Sequence, residues 1–318
     1  MLATPDAQLK IRVPSDLKQK IEEAANQEKR SMNAEIVDRL EKSFHFVSPL
    51  ETNSKNLKLA HYQLIDRKAE VAERLAYSLN LINSFKMNVV KYSHIAKMCG
   101  YENAEIFLNW LQAKQEPSFA ELEKIAAYLY FNEDWLVHGD GHPIPTSRWK
   151  IEHNVDSNIK SLFSYIDPIS KLESEVQEII FVRDTSQEGN LLVIKVLQEW
   201  RVEVLTTNIH VSTYNGVGGR NMLEDFSRLC SHLYKSTKYI TKTNSYLINN
   251  QLFEKILTRE EHPLTLLKKE RTSIWWEAFW NATDAKNIRK DFLTTWYDWD
   301  QTSDIAINAF SSKICDKD

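Results

Sequence analysis

Residues 8–13, QLKIRV, alternate between polar and apolar without a break, with Gln8, Lys10 and Arg12 on one face and Leu9, Ile11 and Val13 on the other. A period of two predicts a strand, and Pro14 ends it. Ser15 is a good N-cap and Asp16 suits the positive end of a helix dipole, and Leu17, Ile21, Ala24 and Ala25 then recur at helical spacing. Ser31 offers a second N-cap, before a second stripe of Ile36, Val37, Leu40 and Phe44. Strand, helix and helix within about 45 residues are too little to bury a core in one copy. Two copies solve the problem. Their strands pair antiparallel, their apolar faces cover four helices, and the polar face of the ribbon looks outward.

Residues 46–66 are a mixed polar run with Pro49 and several Ser and Asn, read as a linker. Helical periodicity resumes at Val71, Leu75, Leu79 and Ile82. It continues in a short helix ending at Gly100, a helix from Asn103 to Lys114, a third from Ser118 to Leu129 and a last turn from Glu133 to His138. His94 and His138 have no metal partners at useful spacing and read as cap or surface residues. From about 150 the pattern changes. EVQEIIFVRD, NLLVIKVLQE, WRVEVLTT and NIHVST are β-rich runs between turn signals and predict an antiparallel sheet. A glycine loop, NGVGG, then leads into an amphipathic helix. It lacks the spacing and lysine of a phosphate-binding P-loop and reads as a strand-to-helix turn. The tail is aromatic, with Trp275, Trp276, Phe279, Trp280, Phe292, Trp296, Tyr297 and Trp299. A helix over 274–282 would stack four of these into a wide apolar face, either core against the sheet, a subunit interface or an aromatic ligand pocket.

The stretch QLKIRVPSDL…RSMNAEIVDRLEKSF resembles the Arc-repressor branch of the ribbon-helix-helix proteins. The resemblance implies a dimer whose two-stranded ribbon enters the major groove of double-stranded DNA. Gln8, Lys10 and Arg12 fall at the base-reading positions; Gln suits adenine, and Arg or Lys suits guanine. It further implies that the backbone at Ser31, Met32 and Asn33 holds a phosphate, and that Arg30, Glu35 and Arg39 form a buried charged triad. A second segment, IAKMCGYENAEIFLNWLQAKQEPSFAELEKIAAYL with NEDWLVHGDGHP, resembles lambda-repressor-like helix-turn-helix domains of the Cro/repressor type. That resemblance puts Lys91, Tyr92 and Ser93 at the DNA backbone, with Glu102, Asn103, Glu105 and Ile106 opening a recognition helix. The C-terminal half resembles no family.

Charge tempers both segments. The chain carries 40 Lys and Arg against 44 Asp and Glu, a net of −4. Residues 1–45 hold eight of each sign, and residues 67–147 hold eight basic and ten acidic. Affinity must then come from placed contacts rather than a basic coat. Glu102 and Glu105 stand where base contacts belong, and each repels phosphate, so docking or packing is the competing role for this segment. Cys99, Cys230 and Cys315 lie far apart with no zinc spacing, which suits reduced thiols. No apolar run spans a membrane and no signal layout opens the chain, so a cytoplasmic protein is expected.

The expected organisation is multi-domain: ribbon-helix-helix at 1–45, a linker at 46–66, an all-α helix-turn-helix at 67–147, and an α+β sensor or assembly domain at 148–318. The expected function is a sequence-specific transcriptional regulator, repressor in kind, of bacterial, phage or plasmid type. It would act as a dimer, with a tetramer allowed through the Trp-rich helix, and an unknown ligand or protein partner is allowed at the C-terminal domain. No cofactor, metal or catalytic residue is expected; the Ser, His and Asp residues form no triad pattern. Two other classes fit the same pattern, an enzyme or defence effector tethered to DNA, and an architectural or partition protein.

Overall fold

The computed structural model describes residues 15–27, 30–45, 67–84, 89–259, 261–281, 283–285, 296 and 298–312. The expected strand at 8–13, with Gln8, Lys10 and Arg12, and the expected linker at 46–66 lie outside the described residues. The chain divides into two compact units, Met1–Gln63 and Leu64–Asp318.

The first unit contains α1 (Ser15–Gln27) and α2 (Met32–His45). The turn between them is closed by Arg30 N–H on the Ala25 carbonyl at 3.0 Å. Ser31 is the N-cap of α2, as its sequence position predicts, and its hydroxyl accepts from Ala34 N–H at 3.2 Å.

The second unit opens with five helices: α3 (Arg67–Asn83), α4 (Tyr92–Met98), α5 (Glu105–Leu111), α6 (Phe119–Leu129) and α7 (Glu133–His138). Their ends follow local chemistry. Gly100, at φ +78°, lets the chain leave α4 while Tyr101 N–H returns to the Ala96 carbonyl. Ser118 and Glu121 cap α6 reciprocally, and Asn132 caps α7. The guanidinium of Arg74 bonds the Leu136 and Val137 carbonyls at 3.0 and 3.3 Å, placing a cation at the negative end of α7. The helix expected over 103–114 is shorter. It starts where Asn103 accepts from Glu105 N–H and is over before Ala113, which sits at φ +55°.

A five-stranded sheet follows in the order β1-β6-β5-β4-β7, built from β1 (Thr146–Arg148), β4 (Glu178–Asp184), β5 (Asn190–Gln198), β6 (Arg201–His210) and β7 (Thr243–Ile248). A small antiparallel pair, β2 (Ser164–Ile166) and β3 (Glu173–Glu175), lies apart from it in hydrogen bonding. The sheet is mixed, not antiparallel throughout. β4, β5 and β6 form an antiparallel meander, but β7 runs parallel to β4 and β1 parallel to β6. A parallel return needs a long crossover, and α9 (Val217–Lys235), the helix after the glycine loop, supplies it. The runs WRVEVLTT and NIHVST belong largely to one strand, β6, because Asn208 is accommodated in extended conformation at a half-exposed stretch.

Both faces of the sheet are covered. Ile180, Val182, Leu192, Ile194, Val202 and Val204 share one hydrophobic cluster with Leu75, Ile95, Phe107, Trp110, Leu122 and Ile125 of the five helices. Ile179, Phe181, Leu191, Val193 and Leu205 share another with α8 (Val155–Phe163), α9, the helical turn Trp275–Ala278 and the last helix, Trp299–Ser312. A strand buried on both faces reads as a continuous apolar run, as IIFV and NLLVIKVL do. The first cluster crosses the expected boundary at 147/148, so the helical segment and the sheet share one core. The expected Trp-rich helix is only the turn Trp275–Ala278, and Trp275, Trp276 and Phe279 are fully buried against Phe181, Phe226 and Trp296. These rings are core against the sheet, the first of the three roles left open for them.

Candidate nucleic-acid interface

In the first unit, Glu35 joins α2 to the turn before it. Its Oε1 accepts from Arg39 Nε at 2.6 Å, one helical turn on, and its Oε2 pairs with Arg30 Nε at 2.7 Å. The triad of Arg30, Glu35 and Arg39 expected from the resemblance is thus paired within one copy, but only Glu35 is buried, with the Arg30 and Arg39 side chains 30% and 60% exposed. The Arg39 bond, and after it the charge of Arg30, hold the Glu35 carboxyl below the usual carboxylate range against the opposing effect of burial. Both guanidinium groups point at one carboxylate, so the turn preceding α2 is fixed relative to the helix.

That turn presents the N-terminus of α2. Ser31 and Asn33 are exposed and Met32 half-buried. Ser31 satisfies Ala34, but among the described residues nothing accepts from the Met32 and Asn33 amides. Both amides lie in the first turn of this 14-residue helix, at the positive end of its dipole. The same unit leaves apolar surface uncovered: Leu17 of α1 is 43% exposed and Val37 of α2 is 52% exposed.

In the second unit, Lys91, Tyr92 and Ser93 open α4. Lys91 is the exposed N-cap, and its N–H is bonded by His94 Nδ1 at 3.1 Å, which makes His94 the cap residue its sequence position suggested. Glu102, Asn103 and Glu105 gather at the start of α5 and are exposed, while Phe107 and Trp110 anchor the helix in the core. The sequence-derived positions are therefore brought together on two helix starts. The exposed pair of carboxylates is the feature that sets this face apart from a phosphate-seeking one.

Sequence reasoning missed a third constellation. Arg183, 1% exposed at the end of β4, stacks its guanidinium 3.7 Å over the ring of Trp296. Its Nε donates to the Val211 carbonyl at 2.9 Å and its Nη1 to the Asp184 carbonyl at 2.5 Å. Asp298 lies 4.0 Å from Nη2. The signal was a charged residue at the end of the apolar run IIFV; Trp296 and Asp298 stand more than 100 residues away, beyond any local pattern. Burial lowers the Arg183 pKa to about 10, with Asp298 and Asp184 opposing. Burial raises that of Asp298, but bonds from Thr213 and the charge of Arg183 outweigh it and hold the carboxyl below its usual range.

Residues 3–52 match the family model of the Arc-like DNA-binding domain. No curated protein and no solved structure matches the chain. The chain thus carries an Arc-like DNA-binding domain in its first unit. Among the described residues, no helix is long and apolar enough to cross a membrane.

Proposed function

We propose that the protein is a sequence-specific transcriptional regulator of repressor type, reading DNA as a dimer through the ribbon of its first unit. The match of residues 3–52 to the Arc-like DNA-binding domain carries this reading. In it, Gln8, Lys10 and Arg12 line the outward face of the ribbon and reach base edges in the major groove. The amides of Met32 and Asn33, beside Ser31, take a backbone phosphate and fix the ribbon's depth. Leu17 and Val37, left exposed in one copy, belong to the face that the second copy covers. Because residues 1–45 are electrically balanced, specificity rests on these placed donors, and binding to unrelated DNA is weak.

The second unit adds assembly and sensing. Lys91, Tyr92 and Ser93 at the start of α4 suit a phosphate, but Glu102 and Glu105 discourage one beside Asn103, so this face is a minor DNA contact at most and a docking surface for protein at least. Selection of bound fragments from a genomic DNA pool with the full-length protein tests the reading. Recovery of a short, two-fold symmetric sequence supports it, and recovery of unselected DNA overturns it.

A further inference from the structure

The outer face of α3 and the end of α7 border a cavity of about 680 Å³, within the size range of small-molecule sites. Glu70, Glu73, Arg74 and Tyr77 recur at helical spacing and line it from one face of α3, while Val71, Leu75 and Ile82 on the other side enter the core. Trp135, His138 and His142 line it from α7 and the loop after it, and no lysine is among the lining residues.

The one guanidinium in the lining is committed to structure. Arg74 donates from Nε and Nη2 to the Leu136 and Val137 carbonyls at 3.0 and 3.3 Å, and its Nη1 lies 4.0 Å from Glu70. Gly139, at φ +85°, ends α7 and admits this guanidinium, which a Cβ there would meet at 3.2 Å. The negative end of α7 and Glu70 thus balance Arg74. Glu73 acts on Arg74 only through space and, among the described residues, makes no hydrogen bond or ion pair. Two carboxylates therefore stand against one occupied guanidinium, and Glu73 is the charge left over.

The aromatic rings give that charge a shape. Tyr77 and Trp135 stand 5.7 Å apart at 57°, so their planes form a corner rather than a stack. Phe131 meets Trp135 edge to face at 6.1 Å and holds its ring. Tyr77 is 37% exposed, an aromatic ring kept partly in water beside an unpaired carboxylate. Ring faces carry the negative part of the quadrupole, so the rings and Glu73 attract the same sign of ligand. An anion reaching for Arg74 Nη1 meets Glu70 4.0 Å away. A bare ammonium brings three N–H donors that need acceptors, whereas an alkylated ammonium brings methyl groups that lie on the rings.

We propose that this cavity binds a small organic cation of the alkylated-ammonium class, with its charge in the Tyr77–Trp135 corner and Glu73 as counter-ion. The proposal does not rest on the DNA-reading function; it gives the second unit a ligand of its own.

Titrating full-length protein with choline to millimolar concentration, read by saturation-transfer NMR, tests this against 3,3-dimethyl-1-butanol, the uncharged molecule of the same shape. Choline should bind, and the alcohol should bind about tenfold more weakly. Tyr77→Leu keeps apolar bulk but removes the ring face, and Glu73→Gln removes the charge. Each should weaken choline about fivefold and leave the alcohol unchanged. The ligand pair needs no variant, so it decides the matter even where a variant is disturbed. No choline signal, equal affinity for the two ligands, or wild-type choline affinity in both variants overturns the proposal. The same chemistry occurs on methylated lysine side chains and lipid headgroups. A trimethyllysine peptide or phosphatidylcholine vesicles that bind where free choline does not would also overturn it. The titration contains no DNA, so its outcome is separate from that of the DNA-reading proposal.

Discussion

His262 donates from Nε2 to the carbonyl oxygen of Trp200 across 3.0 Å, while its Nδ1 accepts the Leu264 N–H at 3.3 Å. The two bonds fix the tautomer: the imidazole is neutral, with its proton on Nε2. The ring caps the short helix Pro263–Leu267 and joins it to the β5–β6 turn inside the core.

Burial lowers the His262 pKa from 6.5 to about 4. A histidine with a depressed folded-state pKa contributes stability above the unfolded value, and that stability is lost as pH falls from about 6.5 through 4. The loss amounts to about 3 kcal/mol when complete. Urea midpoints of the second unit should fall between pH 7 and pH 4.5, and His262→Gln, which does not titrate, should show a flatter profile over that window. Matching profiles for wild type and variant would mean that the ring charges without cost.

On the ribbon, Lys10→Ala and Arg12→Ala should each weaken binding to the selected operator by about 1–3 kcal/mol, the range for one lost base contact. Thermal melting should not change, since alternation puts both side chains on the polar face. Electrophoretic shifts at fixed salt give the first quantity and calorimetry the second. Wild-type affinity in both variants would remove the ribbon as the reader.

The two units make different demands on DNA. If the α4–α5 face is a minor contact, a fragment of residues 1–63 and the full chain should protect footprints of nearly equal length. Their plots of log affinity against log salt should also be nearly parallel, since few additional phosphates are neutralised. A longer footprint and steeper slope in the full chain would promote Lys91, Tyr92 and Ser93 to principal phosphate contacts.

Assembly follows from which apolar residues are already covered. Leu17 and Val37 are not, so the full chain should scatter light as a dimer through its first unit. Trp275 is, so Trp275→Ala should cost about 3–5 kcal/mol of stability as a core truncation. That cost should be independent of protein concentration. A tetramer in the wild type that Trp275→Ala dissolves would return the ring to an interface role.

Much of this molecule could be read along the chain because its signals are short-range. Ser31, Ser118 and Asn132 cap the helices that follow them, and Gly100 ends one, because capping depends on neighbours within four residues. The burial of both sheet faces was equally local, written in IIFV and NLLVIKVL. What did not show was pairing between distant segments. Nothing in SYLI says that β7 lies parallel to β4 rather than antiparallel, since direction is set by the crossover through α9. The same blindness hid the Arg183 site, whose three main members come from β4, the turn after β6 and the tail. Aromatic spacing at 275–280 signalled burial correctly but not the partner, because a wide apolar face looks alike whether its own chain or another covers it.

The hydrophobic cluster that runs from α3–α7 into the sheet also has a genetic consequence. A segment that shares its core with its neighbour cannot be exchanged by recombination at residue 147 without stranding half of that core. The join near residue 63 is different, for a crossover there leaves the buried cluster of residues 71–267 whole. A lineage could replace the Arc-like DNA-binding domain at that join and inherit everything downstream unaltered, so the two units are free to evolve on separate schedules.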